Sequence, residues 1–302
     1  MNSTKIFRFG QDVLNGREEQ VIIIKELLDP AYGCYVWPSA FVLSEYIWAQ
    51  KDLFRDKTIL EIGAGTSLPG FLCASLSPET HVILTDRPDV PQILENIREG
   101  ARLNGLMSSA ENRKAEEDDD KPLRQNVWVR GLKWGEIFFQ CDDDREEGLL
   151  KLLRDIEQSG KQLDWILGSD TFYDPKDFED IIVTIAYILT HHSPNAKFIT
   201  SYQERSSKRS IQYLLDKWKL ESRQISLESF NFDYNKYTTN LSPSSSDDEE
   251  ESINAESESM DISEDDDLDS LEEEDLLTGH KDEAAYSASL HSIFLIEIWK
   301  PH

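Results

Sequence analysis

Positive charge is scarce in this chain. It carries 31 Lys and Arg against 59 Asp and Glu, a formal net charge of −28. Such a surface repels phosphate backbones, so non-specific binding of nucleic acid is excluded, while a basic protein partner is favoured. Cysteine is also scarce. Cys34, Cys73 and Cys141 are odd in number and show neither disulfide nor metal-ligand spacing, which suits a reducing compartment and predicts no metal site. No apolar run reaches the length of a membrane span, and the first residues lack the pattern of a secretory signal. A soluble intracellular protein without a membrane partner is expected. Hydrophobic residues make up 39% of the chain, below the globular average, but the deficit is local. Of the −28, −18 falls between Leu241 and Leu290, which leaves −10 for the remainder. The chain therefore reads as a mildly acidic globular body carrying an acidic insert, 241–290, predicted to be disordered. Ser244 to Ser246 precede Asp247-Asp248-Glu249-Glu250-Glu251, a context open to phosphorylation, although a merely solvating loop accounts for the same residues.

What is present is organised around Lys57 to Gly70. Thr58 to Ile62 reads as a strand buried on both faces, broken at Gly63, with helix resuming near Pro69. Strand, Gly-x-Gly turn and helix form the first half of a nucleotide-binding βαβ unit. The third glycine of the dinucleotide pattern is missing: Leu68 stands in its place. Instead Glu61 sits two residues ahead of Gly63, with Ala64 between Gly63 and Gly65. A carboxylate facing the cradle would repel a pyrophosphate and welcome a cation. S-adenosylmethionine, with its ammonium and sulfonium and no phosphate, is favoured over NAD. A nicotinamide-dependent oxidoreductase is the weaker reading.

Upstream, Lys5 to Phe9 and Val21 to Leu28 predict an N-terminal β-hairpin, 1–30, with a turn at Asn15-Gly16. Trp37-Pro38 opens a helical pattern. Trp37 is either a core residue or a wall of the cofactor site. Downstream, His81 to Asp86 is a second buried strand. Asp86 lies 23 residues beyond Gly63, where a carboxylate accepts ribose hydroxyls. Asp89 is the better N-cap for the helix that follows, Val90 to Asn104. A polar loop spans 107–125. Val127 to Val129 is a third strand, and Trp134 falls where an indole can stack on an adenine or serve packing alone. A helix is predicted over Glu146 to Ser159, and a fourth strand over Leu163 to Asp170. Asp170 with Phe172 and Tyr173 at its carboxyl end forms a candidate catalytic cluster, because ligands bind at that end of open α/β sheets. Asp174 before Pro175 reads as an N-cap.

Further predictions are a helix from Lys176 to His191, a strand from Lys197 to Tyr202 and a helix from Ser207 to Trp218. Two last strands begin at Leu220 and His291. With no helix between them, these two form an antiparallel hairpin, its connection carrying the acidic insert. The expected fold is α/β and doubly wound: a mostly parallel seven-stranded, Rossmann-like sheet with an antiparallel last strand, over 31–302. That is the layout of a class I methyltransferase.

Glu61-Ile62-Gly63-Ala64-Gly65 with Leu68-Pro69-Gly70, Val36-Trp37-Pro38, Thr85-Asp86, Leu132-Lys133-Trp134-Gly135 and Gly168-Ser169-Asp170 resemble the family 16 methyltransferases. The likeness spans 31–233 and resumes at the last strand. It implies cofactor contacts at Trp37, Gly63 to Gly65, Asp86, Trp134 and Ser169. It also implies an acid-x-x-aromatic motif after the fourth strand, carried by Asp170 and Tyr173. Many members methylate protein lysines. Ser169-Asp170-Thr171-Phe172-Tyr173 and Thr200-Ser201-Tyr202-Gln203 resemble the branch associated with histone arginine methylation. That likeness implies a histone substrate, chromatin or chaperone partners, and a nuclear and cytoplasmic location. A monomer is expected. No paired-glutamate hairpin of the main arginine methyltransferases is present, so the residues leave arginine and lysine both open. A methyltransferase fold serving only to hold basic partners is the competing class.

Overall fold

The computed structural model describes residues 3–10, 18–27, 32–107, 126–137, 139–140, 146–203, 210–233 and 292–301. The Asn15-Gly16 turn, the 107–125 loop from residue 108 on, Cys141 and the acidic insert lie outside the described residues.

A seven-stranded sheet forms the frame. Its strands are β3 (Thr58–Glu61), β4 (His81–Asp86), β5 (Val127–Gly131), β8 (Trp165–Ser169), β9 (Lys197–Gln203), β10 (Glu221–Ile225) and β11 (Ile293–Trp299), in the order β10-β11-β9-β8-β3-β4-β5. β3 runs parallel to β4 and β8, as do β4 to β5 and β8 to β9. Only β11, between β9 and β10, runs antiparallel to both its neighbours. The predicted doubly wound sheet with a reversed last strand is therefore observed.

Alternation along the buried strands divides the core in two. Ile59, Val82 and Leu84 face one layer, while Leu60, Ile62 and Ile83 face the other. The first layer receives α1 (Pro38–Ala49), α3 (Leu68–Ser75) and α4 (Pro91–Leu103); the second receives α5 (Leu149–Gln158), α6 (Phe178–His191) and α7 (Gln212–Trp218). A four-residue α2 (Lys51–Phe54) follows α1. Pro stands in the first turn of α1, α3 and α4, where its missing N–H costs nothing.

The N-terminal hairpin, β1 (Ser3–Phe9) and β2 (Gln20–Glu26), is a separate antiparallel sheet. It is nonetheless built into the first layer. Phe7 and Phe9 are fully buried and meet the ring of Phe41 on α1 at 6.2 and 6.4 Å. Asn104, just past α4, takes the Ile23 N–H at 2.8 Å and donates to the Ile23 carbonyl at 2.7 Å.

Some boundaries differ from expectation for local reasons. The helix predicted from Glu146 starts at Leu149, because Glu146–Glu147 (β7) pair with Phe139–Gln140 (β6) and Gly148, at φ +88°, separates the two elements. The helix predicted from Ser207 is described from Gln212. Asp89 does not cap α4. The N-cap position belongs to Val90, without a side-chain bond, and Asp89 instead takes two N–H bonds from Arg87, at 2.9 and 2.5 Å. The charged fork offers more than a single amide. Asp174 does act as a cap, accepting the Lys176 N–H ahead of the 3-10 turn Pro175–Asp177.

On β11, Glu297 is buried and bonds Lys197 of β9 at 2.8 Å and Arg223 of β10. It thus ties the antiparallel strand to both neighbours. Truncation in Glu297→Ala removes two charge-assisted bonds but leaves cations that water can reach. Urea unfolding should show a loss of about 1–3 kcal/mol; an unchanged midpoint would refute this role.

Candidate functional site

The chain crosses from β3 to α3 in a turn that only glycine makes easily. Gly63 and Gly65 take φ of +58° and +52°. Each backbone step is tied to the end of β4: Ala64 N–H bonds the Thr85 carbonyl at 2.9 Å, and Gly65 N–H bonds Asp86 Oδ2 at 2.8 Å. A Cβ on Gly63 would stand 2.7 Å from the Trp134 ring and 3.2 Å from the Thr171 methyl. Gly63 thus brings together the segments that follow β5 and β8. Next to Gly65 lies the backbone of Gly33, 3.4 Å from where a Cβ would be. That is the start of the segment leading to Trp37.

Trp37 itself is extended (φ −80°, ψ 151°), half-buried, and immediately precedes α1. Trp134 is half-buried and held from behind: the Gly135 N–H donates to Thr184 Oγ1 on α6 at 2.9 Å, and Gly135, at φ +78°, leaves room for Asp180. Ser169 is the last residue of β8, opposite Ser201 of β9. Asp170 follows at φ +50° and is buried, its N–H on the Ser201 carbonyl at 2.9 Å. Because β8 and β4 flank β3, the stretches after them stand on either side of the glycine turn. Tyr173 shows the consequence. Burial, and then the negative Asp177, push its phenol pKa up, while Arg87 from the β4 side pulls it down.

Asp86 is almost fully buried, with one backbone N–H on each oxygen, Gly65 on Oδ2 and Arg87 on Oδ1, both at 2.8 Å. Burial raises its pKa; the two amides and the Arg87 charge oppose that rise. Each oxygen keeps lone-pair capacity, enough for two ribose hydroxyls. Arg87 is engaged by Asp89, whose pKa the guanidinium lowers to about 2.

Glu61 differs from the charged lip that its sequence position suggests. Its side chain lies on the first layer's face and is fully buried under the start of α3: a Cβ on Gly70 would come 2.3 Å from its Oε2. Neither oxygen has a hydrogen-bond partner of good geometry among the described residues. The nearby Gly70 amide only partly offsets burial, and Asp86 adds repulsion, so the pKa rises to about 8. Burial thus favours the uncharged form of this carboxyl.

The fit to an adenosine-bearing cation can be judged from the polar atoms. Ser67 Oγ at the N-cap of α3, Thr171 Oγ1 and both Glu61 oxygens are buried without partners among the described residues. Buried polar atoms of this kind ask for a ligand or water. With the glycine cradle and Asp86, they suit S-adenosylmethionine. Sequence reasoning passed over Gly33 and Thr171. Only a close backbone approach and a methyl packed on Gly63 single them out, and neither leaves a spacing signal.

Comparison with known proteins gives a family. The sequence profile of methyltransferase family 16, described as lysine methyltransferase, matches residues 16–216. The chain is 38% identical over 220 residues to the histone-arginine methyltransferase METTL23 of Xenopus laevis, covering 72% of this chain and 78% of that protein. It is 38% identical over 199 residues to the human protein of the same name, covering 66% and 85%. Among solved structures it is similar to an S-adenosylmethionine-dependent methyltransferase from Aquifex aeolicus, with 12% identity, 63% of this chain and 87% of that one covered, and a TM-score of 0.40.

The buried Glu61 makes stability depend on pH. Between its ordinary pKa of 4.5 and its folded value of about 8, the folded protein keeps a proton that the unfolded chain has lost. Its contribution is complete below pH 4.5 and is lost as pH rises through that window, at up to ~1.4 kcal/mol per unit. Glu61→Gln lacks the proton exchange. Melting curves from pH 5 to 8 should show the variant gaining on the wild type as pH rises. Parallel curves would mean that the carboxyl is ionised throughout.

Proposed function

Because the chain belongs to methyltransferase family 16, and is an S-adenosylmethionine-dependent protein methyltransferase, we propose that it methylates arginine side chains of a basic protein, a histone being the substrate class. The observation that carries the site assignment is the convergence on one turn. Gly65 is bonded to Asp86, while Trp134 and Thr171 close on Gly63. The names of the relatives support arginine and histone as the targets.

The cofactor supplies a methyl group on a sulfonium, ready for in-line displacement. The chain's residues supply position, which accounts for much of the rate in such a reaction. Asp86 holds the ribose hydroxyls. The Gly63-Ala64-Gly65 backbone admits the ligand closely, and Trp134 and Trp37 wall the adenine and its surroundings. Ser169 completes the contacts. Glu61 lies buried beneath the start of α3, so a cationic ligand at the cradle acts on it through space, favouring its ionised form. Asp170 orients the acceptor guanidinium, and Tyr173 walls the channel by a cation–π contact.

A second reading has its own support: the family profile is described as lysine methyltransferase. Lysine must lose a proton before attack, whereas arginine needs only to be held. In either case we place the enzyme in the nucleus and cytoplasm as a monomer. The 241–290 segment, with its excess of acids, attracts basic or chromatin partners.

Three measurements decide. Calorimetry should find S-adenosylmethionine binding in the wild type and a loss of at least about tenfold in Asp86→Ala, roughly one charge-assisted hydrogen bond. Unchanged binding would remove Asp86 from the site. Methylation of histones with labelled cofactor, read by mass spectrometry, should place the label on arginine; label on lysine would establish the second reading. Asp170→Asn should lower kcat with little change in cofactor affinity.

A further inference from the structure

The N-terminal hairpin holds a buried acid that none of these roles uses. Glu26, the last residue of β2, is 4% exposed. Its Oε1 accepts the Val36 N–H at 2.9 Å and Lys5 Nζ at 3.0 Å, and its Oε2 accepts Ser3 Oγ at 3.1 Å. One residue further, the Leu27 N–H bonds the Cys34 carbonyl at 3.2 Å. The end of β2 is therefore fastened to both ends of the stretch from Cys34 to Val36. On its other side β2 is fastened to α4, where Asn96 Nδ2 donates to the Lys25 carbonyl at 2.9 Å.

The fastened stretch is the one that reaches the glycine turn. Gly33, ahead of it, lies against Gly65, and a Cβ on Gly33 would come 2.7 Å from Ile93 of α4. Trp37 follows Val36 directly. The stretch is thus wedged between the turn, α4 and the hairpin. Without Glu26 the buried Val36 N–H would lose its acceptor, and such groups are rarely left unpaired. A carboxylate that grips a backbone amide does more than fill space, because it fixes where the next residue starts.

We infer that Glu26 is a positioning residue for the cofactor site: through Val36 the hairpin holds Trp37 at the rim of the glycine turn and so sets the affinity for S-adenosylmethionine. This rests on the reading that Trp37 lines that site. Ligand binding to a segment that is competent only part of the time weakens in proportion to the time lost.

The test uses the full chain and S-adenosylmethionine itself, with Kd measured by calorimetry and kcat for a histone substrate measured in parallel. A Glu26→Leu variant whose rim segment is in place about a tenth of the time should raise Kd about tenfold, with kcat at saturating cofactor near that of the wild type. Amide exchange at Val36 should become fast. Glu26→Gln keeps an acceptor oxygen and should retain most of the affinity. Lys5→Met removes the ion pair but not the Val36 bond, so it should lower the melting temperature without moving Kd. Trp37→Ala alone should weaken binding, and adding Glu26→Leu to it should weaken binding little further. An unchanged Kd in Trp37→Ala would overturn the premise about Trp37. A weakened Trp37→Ala with an unchanged Glu26→Leu, or with fully additive losses in the double variant, would overturn the positioning role. If Glu26→Leu does not fold, Glu26→Gln with fast Val36 exchange and wild-type affinity would overturn it too.

Discussion

The bond from the Gly65 amide to the Asp86 carboxylate joins two requirements that pull apart. A ligand cradle needs backbone amides pointing outward and a carboxylate at the edge of the sheet. Buried polar groups, however, need partners. Here each satisfies the other. Asp86 pairs with Gly65 and Arg87, Ala64 pairs with Thr85, and the turn is thereby locked to β4 with no side chain of its own. The left-handed glycines are what allow this path. Trp134 reaches Gly63 because no Cβ stands there.

Around that lock the sheet acts as a distributor. With β8, β3 and β4 adjacent, the segments that leave them meet at one edge although far apart in sequence. Elements remote from the turn then brace those segments. Thr184 on α6 holds Gly135 behind Trp134, and Glu26 on the hairpin holds Val36 ahead of Trp37. Both indoles are thus set by hydrogen bonds to the backbone of a neighbouring residue. The hairpin, separate by strand pairing, belongs to the same core through Phe7 and Phe9.

Glu61 illustrates how burial can reverse an electrostatic argument. Its place ahead of Gly63 suggests a standing negative charge. The strand's alternation instead turns it into the layer under α3, where desolvation pushes its pKa up and disfavours the charge. Asp86 is nearly as deeply placed, yet it has amides on both oxygens that oppose its shift.

The seven strands of the main sheet, their order of appearance, the helices with proline in the first turn and the reversed last strand were all legible from apolar runs and punctuation. So were the Gly-x-Gly turn, Asp86 at the end of β4 and Asp170 at the end of β8. These are local signals, written within a dozen residues. What the chain could not show alone was the burial of Glu61, the diversion of Asp89 to Arg87, the packing of Thr171 on Gly63, or the hold of Glu26 on Val36. Each depends on the distance between residues of different segments and on how much water remains between them. Those two quantities exist only once the layers have closed.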